Sequence, residues 1–280
     1  MKALLSSVGL GLVLLGVSSS PARADFGGVP DRIWIDLGGS TNDLSTTAAL
    51  TGQSGVGAVL DFEDVFDLPG SKDTFRGFIT WRISESRKYM DFGFVSINRS
   101  GGRIIQNDFN WGDYAFAAGA RVDATFDTRF IYAAYRYDFL NEEKVRISGS
   151  AGASITTLKA ALTGDGNVTG PSGPIAGDFT AESKITAPVP MLGLNLDWAI
   201  TQRLFMRTYT RFFWLNISSV DGSMKENGIH LNWLFTKHFG AGLGFDRNNI
   251  RIKEVEINQD DKAKFNYDVS GFALYLNFAW

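Results

Sequence analysis

The sequence predicts an all-β fold, a transmembrane antiparallel β-barrel of about ten strands that follows a cleaved signal peptide. The first observation is that apolar and polar residues alternate along many segments, which is the period of a β-strand with two different faces. The second is the composition, because a chain with 44% hydrophobic residues, 13% aromatic residues and 31 glycines has a mean hydropathy of only −0.04. Apolar and polar residues are therefore finely interleaved.

The first residues have the features of a secretory signal peptide. Lys2 gives the positive start, residues 4–17 are apolar but broken by serine and glycine, and residues 22–24 read Ala-Arg-Ala, a cleavage box. The apolar run is shorter than the roughly 20 residues of a membrane-spanning helix. We therefore expect a cleaved signal peptide at 1–24 and a single barrel domain at 25–280.

The last segment shows the alternation most clearly. Phe272, Leu274, Leu276, Phe278 and Trp280 share one face, while glycine, alanine, tyrosine and asparagine occupy the other. The pattern recurs at 75–83, 145–155, 192–198, 229–233 and 239–246. A soluble β-sandwich also alternates, so a secreted soluble β protein is the competing interpretation. An apolar face that ends in aromatic residues, opposite a face of glycine, serine and charge, favours a barrel with a lipid-facing exterior and a polar lumen.

Short polar connections alternate with longer ones, as in bacterial barrels with short periplasmic turns and long extracellular loops. The short turns lie at 84–88, 140–144, 200–203 and 236–238, and the long loops at 50–57, 103–118, 163–177, 220–227 and 255–264. These connections divide the chain into strands at 32–48, 58–84, 88–105, 119–140, 144–162, 178–199, 203–218, 226–236, 238–254 and 264–280. Eight or twelve strands are alternatives, because the first hairpin is irregular and Pro69, Pro188 and Pro190 interrupt the ladders.

Five segments carry a likeness to known proteins. They are VLDFEDVFDLPGSKDTFRG at 59–77, YMDFGFVSINRSG at 89–101, the stretch from NDFNWGD to YRYDFL at 107–140, APVPMLGLNLDWAIT at 187–201 and FGAGLGF at 239–245. With these segments the chain resembles an uncharacterised family of proteobacterial outer-membrane β-barrel proteins, generally similar to small barrels of the OmpA and OmpW type. The resemblance implies export through the periplasm to the bacterial outer membrane, but no particular chemistry. It also implies that Trp280 is the signal for the barrel-assembly machinery, where phenylalanine is commoner.

Strand alternation places a set of charged and polar residues in the lumen. They are Asp36, Arg76, Arg82, Asp91, Arg136, Asp138, Arg146, Asp197, Arg207, Arg211, His230 and Asp246. The charges nearly balance, and charges in a narrow interior must be paired or hydrated. A barrel of roughly eight strands is filled by its own side chains, and about ten strands lie close to that limit. We expect a mostly occluded lumen, narrowed by Phe130, Tyr132, Tyr209 and Tyr275, with a narrow pore for small solutes as the alternative.

His230 is the only inward-pointing candidate for proton transfer, with Asn232 two residues away on the same face. No grouping of serine, histidine and acid can be assembled from this sequence, so we expect no catalytic residues and no enzymatic activity. His238 falls in a short turn, where we expect it to be solvated. Lipid-modifying hydrolysis at the outer rim is the enzymatic alternative.

A dense acidic stretch should lie at or beyond the outer surface. Asp61, Glu63, Asp64 and Asp67 are weak candidates for Ca²⁺ or Mg²⁺ ligands that bridge lipopolysaccharide phosphates, but they lack the spacing of a calcium loop. Asp73 and the loop residues Glu256, Asp260 and Asp261 have the same status. A solvated charged rim without a bound metal is therefore the expectation.

The composition excludes several other classes of protein. The 280 residues contain no cysteine and two histidines, which excludes a disulfide scaffold, a cysteine nucleophile and a thiolate metal site. The formal net charge is −3, so the chain lacks the excess of basic residues that is typical of nucleic-acid-binding proteins. The glycine-rich stretch at 163–177 lacks the position between a strand and a helix that a phosphate-binding loop has. We expect no cofactor and no nucleic-acid partner.

The sequence thus predicts an outer-membrane barrel with a structural or narrow-pore role. The first alternative is a channel or binding barrel for a small, hydrophobic solute, and the second is the lipid-modifying hydrolase. Outer-membrane lipid, lipopolysaccharide and the barrel-assembly machinery are the expected partners, with small solutes as further candidates.

Overall fold

The computed structural model describes residues 32–51, 58–84, 86–165, 168–175, 177–217, 220–256 and 262–280. The predicted signal peptide at 1–24 lies outside these residues, as do Asp260 and Asp261. Among the described residues, no helix has the length and apolar character needed to cross a membrane.

The described chain consists almost entirely of β-strands. In chain order they are β1 (Ile33–Thr51), β2 (Leu60–Asp61), β3 (Ser71–Arg82), β4 (Lys88–Ile104), β5 (Phe109–Trp111), β6 (Tyr114–Phe116), β7 (Arg121–Asn141), β8 (Val145–Asp165), β9 (Val168–Gly170), β10 (Gly173–Ile175), β11 (Asp178–Ala199), β12 (Leu204–Ile217), β13 (Val220–Leu234), β14 (Phe239–Glu256) and β15 (Lys262–Ala279). One short helix, α1 (Phe62–Phe66), lies between β2 and β3.

Ten long antiparallel strands form a closed barrel, which confirms the predicted fold class. Their order around the barrel is β15, β14, β13, β12, β11, β8, β7, β4, β3 and β1. The first and last strands close the ring, in a register that runs from Trp34 opposite Ala279 to Thr51 opposite Lys262. Closure leaves no free sheet edge at the end of the barrel where the tight turns lie, and a membrane requires this because unpaired backbone groups are not tolerated in lipid.

Tight turns join the strands at one end, which is the periplasmic end in bacterial barrels. The Glu142 N–H donates to the Val145 carbonyl at 2.9 Å, and the Phe235 N–H donates to the Phe239 carbonyl at 2.9 Å. At the other end β7 and β8 each extend for 21 residues. Strands of that length rise about 50 Å when tilted by about 45°, so the sheet continues well beyond a hydrocarbon core of about 30 Å.

Several predicted boundaries are wrong at the extracellular end. The strand expected at 58–84 is interrupted, because β2 and α1 precede β3. The loop expected at 220–227 is strand, since β13 begins at Val220. The loops expected at 103–118 and 163–177 contain β5, β6, β9 and β10, which form a 4-stranded sheet of their own.

Helix α1 turns the chain into the mouth of the barrel. The Asp61 carboxylate caps it by accepting the Asp64 N–H at 3.0 Å, and Asp67 ends it in the left-handed conformation with φ 56°. Phe62 and Phe66 are fully buried on its inner side. Burying two rings outweighs continued strand pairing, which explains why alternation fails as a guide here.

Buried side chains fill the lumen at both ends. At the extracellular end, Phe62 and Phe66 pack with Phe109, Trp111 and Phe116, and we call this group the plug. Below it Phe126 of β7 stacks on Phe265 of β15 at 5.5 Å, a contact that crosses the lumen. At the periplasmic end a second buried group contains Trp34, Ala199, Phe205, Leu234 and Ala279, and we call it the seal.

Candidate functional site in the barrel lumen

The lumen between the plug and the seal carries the charged side chains that alternation assigned to it. Arg76, Arg82, Asp91, Arg136, Asp138, Arg146, Asp197 and Arg211 are buried, and Asp36, Arg207, His230 and Asp246 are partly buried. Each of them alternates with lipid-facing neighbours such as Ile79, Leu194 and Phe245, which are exposed. The alternation of side chains between the two faces of each strand therefore directs the whole set into the lumen.

A chain of ion pairs runs along the lumen wall from β4 to β12 in the periplasmic half of the barrel. Arg136 lies 3.6 Å from Asp91 and 3.7 Å from Asp197, and Arg207 lies 3.7 Å from the same Asp197. The Arg207 guanidinium also stacks on the Trp34 ring at 4.3 Å, which links the ion pairs to the seal. Arg207 therefore pairs along the wall and does not meet Arg211.

Arginines surround one buried tyrosine beside this chain. Tyr89 is 1% exposed, and the guanidinium groups of Arg136, Arg146 and Arg82 lie 4.6, 5.8 and 6.0 Å from its ring centroid. Arg146 lies 3.9 Å from Asp138, whose carboxylate also accepts the Ser148 hydroxyl at 2.7 Å. Aromatic faces and carboxylates together compensate these buried cations.

Asp246 is the centre of a second polar cluster nearer the middle of the membrane. Its carboxylate pairs with Arg76 and accepts the Tyr209 hydroxyl at 2.6 Å. His230 Nε2 lies 2.7 Å from the same carboxylate, and His230 Nδ1 lies 2.9 Å from the Tyr275 hydroxyl. Both ring nitrogens of His230 are therefore engaged by neighbouring side chains.

Two charged residues that line the lumen were missing from the predicted set. Glu226 accepts from Arg211 at 3.1 Å and from the Tyr209 hydroxyl at 3.1 Å, but it fell in a predicted loop. Arg99, whose side chain is completely buried, pairs with Glu63 beneath the plug. Arg99 shares the parity of Asp91 on β4, and that signal was enough to place it inward.

Other predicted site residues take separate positions. Asp36 accepts from the Trp34 indole and from Asn277, each at 2.6 Å. Asn232 accepts from Asn277 at 3.1 Å. His238 is exposed in its turn, as expected, yet its Nδ1 lies 2.8 Å from the Ala279 carbonyl.

The acidic stretch does not converge on one point. Asp61 caps α1, Glu63 pairs with Arg99, Asp67 ends the helix, and Asp64 is exposed. Across the described ranges, no group of three or more histidine, aspartate or glutamate side chains is arranged to bind a metal ion.

The terminal Trp280 lies at the periplasmic edge, where it exchanges backbone hydrogen bonds with Ile33 at 2.7 and 2.9 Å. Its ring is 52% exposed and stacks on the outward-facing Phe278. The ring therefore faces outward from the barrel wall.

Comparison with known proteins supports the fold. No model of a protein family and no curated protein sequence matches the chain. The outer-membrane protease OmpT of Escherichia coli aligns over 93% of this chain and 100% of its own, with 13% identity and a TM-score of 0.56. The outer-membrane protein OprG of Pseudomonas aeruginosa aligns over 91% and 98%, with 9% identity and a TM-score of 0.37. The likeness to OmpT shows that the chain has the fold of a bacterial outer-membrane β-barrel, and it extends to the fold alone.

Proposed function

We propose that this protein is a non-catalytic, structural barrel of the bacterial outer membrane that conducts no ions. The observation that carries this proposal is that buried side chains fill the lumen at both ends, with the plug at one end and the seal beside the arginines around Tyr89 at the other. Phe62 and Phe66 are fully buried in the plug, and Leu234 and Phe205 are 1% and 2% exposed in the seal. An ion that crossed the lumen would have to displace these packed side chains at both places and lose its hydration in the plug.

The charges between the two ends support the same proposal. Carboxylates and guanidinium groups pair with each other along the wall, as Arg211 does with Glu226 and Arg136 does with Asp91 and Asp197. Paired groups present no row of like charge that would attract ions through a pore. A narrow pore would need both ends to open, and the ion pairs to separate around water.

Planar-bilayer recording tests the absence of conduction. Purified protein whose gel mobility changes on boiling, the mark of a folded barrel, should give no steady current above that of the bilayer alone. A variant in which Phe62 and Phe66 are both alanine is the matched control, because it empties the plug but leaves the seal. Steady unitary currents from the unaltered protein would refute the proposal.

The proposed lack of catalysis is supported by the surroundings of His230. Its two ring nitrogens contact Tyr275 and Asp246, so no serine hydroxyl occupies the position that a nucleophile takes beside a catalytic histidine. We propose that the Asp246 cluster is structural. Membranes that contain a His230→Gln variant should show the same lipid A composition by mass spectrometry, and a change in lipid A would support the hydrolase instead.

Lipopolysaccharide is the proposed partner of the outer wall. Lys225, Arg247 and Arg251 are exposed on neighbouring strands β13 and β14, above the lipid-facing Phe245 and Phe272. Arg247 is two residues beyond Phe245, about 7 Å along the strand. Cations at this height can meet the phosphates of the outer leaflet.

A further inference from the structure

Strand β11 is longer than its neighbour β12, which leaves part of one edge of β11 unpaired. On one side β11 pairs with β8 from Trp198 up to Asp178. On the other side it pairs with β12 only as far as Leu192, which lies opposite Phe212. Between Asp178 and Met191, no strand within the described ranges pairs with this second side.

The direction of the hydrogen bonds shows which backbone groups lie on the unpaired side. The Ala199 N–H donates to the Lys144 carbonyl, on the side of β8, at 2.7 Å. Backbone groups of successive residues point to opposite sides of a strand, so the even-numbered residues of β11 face β12. Beyond Leu192 these residues are Pro190 and Pro188, followed by Thr186, Lys184, Glu182 and Thr180. We call the last four residues the free edge.

The two prolines lie where the barrel wall still faces lipid. Pro188 lies opposite Ile155 of β8, which in turn lies opposite Ile131 of β7, and both isoleucines are exposed on the outer wall. An unpaired N–H is costly in hydrocarbon, and proline has none. Pro190 also ends the ladder, because the next pair beyond Leu192 would need the N–H of residue 190. The unpaired side therefore presents no donor where lipid surrounds it.

The free edge begins where the outer wall becomes polar. Thr186 lies opposite Thr157 of β8, with their hydroxyl oxygens 3.2 Å apart, and Glu182 lies 2.9 Å from Lys159 Nζ. The outward side chains thus change from apolar to polar between Pro188 and Thr186. Because every residue other than proline carries one N–H and one carbonyl, the free edge presents four donors and four acceptors outside the lipid.

The spacing of these groups fits an extended polypeptide. They recur at every second residue, about 7 Å apart, as they do along any strand edge. Addition of a strand to an open sheet edge is a general mode of peptide recognition, in which the main chain provides the hydrogen bonds. Open edges also pair readily with other chains, so proteins usually shorten or cover them. The backbone of the free edge therefore specifies a strand as its occupant.

The two faces of β11 specify the side chains of that strand. On the inner face Ala181 is 5% exposed, while Ile185, Val189 and Phe213 of β12 pack partly buried against the core beneath the plug. On the outer face Lys184 is exposed. A strand added here would place apolar side chains inward and polar side chains outward, in alternation.

We propose that the free edge binds an extended segment of another polypeptide outside the cell, which adds to the barrel wall as a strand antiparallel to β11. Antiparallel addition repeats the pairing of β11 with β8 and is the more stable arrangement. The partner contributes alternating apolar and polar residues, and its backbone pairs with the free edge. The site is on the barrel wall, so binding needs no opening of the plug or the seal.

A synthetic peptide tests the free edge. The probe is a fluorescein-labelled peptide TTLKAALT, which copies residues 156–163 of β8, because this sequence already pairs with β11 and alternates as required. Its fluorescence anisotropy should rise saturably with detergent-solubilised protein and not with detergent alone. Hydrogen exchange of segment 178–187 should slow when the peptide is added, while exchange of segment 192–199 should not change.

Two methylated peptides separate backbone pairing from other contacts. At the free edge the outward-facing residues of the probe, which copy Lys159 and Ala161, would donate their N–H groups to β11. N-methylation of these two amides should abolish binding. N-methylation of the amides that copy Leu158 and Ala160 is the matched control and should preserve it, because those amides point away from β11.

Variants of the protein test the same contact from the other side. The double variant Thr186→Pro and Lys184→Pro removes two donors of the free edge, and Pro188 and Pro190 show that β11 accepts proline at this parity without losing its register with β8. Binding should weaken about tenfold or more, since two hydrogen bonds are lost. The control Thr186→Val and Lys184→Val removes the same side chains, keeps both N–H groups and should bind as the unaltered protein does.

Gel mobility before and after boiling shows which variants are folded. No saturable binding, equal binding of the two methylated peptides, or unchanged binding by the folded double proline variant would overturn the proposal. Equal loss in the double valine variant would overturn it as well, because side chains would then account for binding. Loss confined to the proline variant and to the peptide methylated on its outward-facing residues supports strand addition.

Discussion

Neutralising Glu63 should detach α1 from the barrel wall. The Glu63 carboxylate pairs with Arg99 and accepts the Thr46 N–H at 2.9 Å, while the Arg99 side chain is fully buried. Glu63→Gln keeps the shape of the side chain and removes its charge. Arg99 then retains the Pro69 carbonyl at 3.2 Å and the ring of Phe126 at 5.4 Å, neither of which neutralises it.

Removing one partner of a buried ion pair costs about 3 to 5 kcal/mol. We expect the lower end, because the Glu63 side chain is 17% exposed and Arg99 retains other contacts. A cost of about 3 kcal/mol corresponds to a roughly 150-fold shift in the equilibrium between docked and undocked α1. The loss is local, since the barrel strands below the plug keep their pairing.

Hydrogen exchange measured by mass spectrometry on segment 60–70 provides the assay. Glu63→Gln should lower protection in this segment by roughly 100-fold or more. The control Asp64→Asn, an exposed carboxylate on the same helix, should leave protection unchanged. The double variant Glu63→Gln with Arg99→Met should recover most of the protection, because no buried charge is left unpaired. Unchanged exchange in Glu63→Gln would refute the argument that this pair anchors the helix.

Three further outcomes are expected. Phe205→Ala should destabilise the barrel by about 3 kcal/mol or more in urea unfolding from lipid vesicles, and an unchanged midpoint would contradict its packing in the seal. Trp280→Ala should lower the folded fraction in outer membranes several-fold while Trp280→Phe preserves it, and equal yields would remove Trp280 as the assembly signal. The double variant Arg247→Glu and Arg251→Glu should reduce lipopolysaccharide binding at least tenfold, because each cation lost costs about 1 kcal/mol. The control Arg121→Glu, on another wall of the barrel, should not reduce binding. Equal losses in the two proteins would argue against a specific surface.

The sequence was sufficient for the barrel and for the direction of its side chains. Alternation is a local property, so it places Asp91, Asp197 and Asp246 inward without knowledge of any partner. The partners themselves depend on which strands face each other across the lumen. Arg76 of β3 reaches Asp246 of β14 over two intervening strands, and that relation follows from closure and register rather than from any window of sequence.

The extracellular end was predicted least well, for a different physical reason. Residues 60–68 neither alternate nor face lipid, because Phe62 and Phe66 bury themselves in a space that other loops help to enclose. Glu63 was consequently expected at a solvated rim, although it lies against Arg99. Alternation of apolar and polar residues predicts the direction of side chains only where one face of the sheet contacts lipid and the other lines the lumen.

Closure through the first and last strands has a consequence for how the chain folds. Trp34 lies opposite Ala279 and Thr51 lies opposite Lys262, so this ladder joins the first and the last strand of the barrel, which are far apart in sequence. Contacts of such large sequence separation form slowly, and the ring cannot close before β15 has been synthesised. Until the ring closes, β1 and β15 each present an unpaired edge that can join other chains. The last step of folding is therefore expected to be the pairing of β1 with β15.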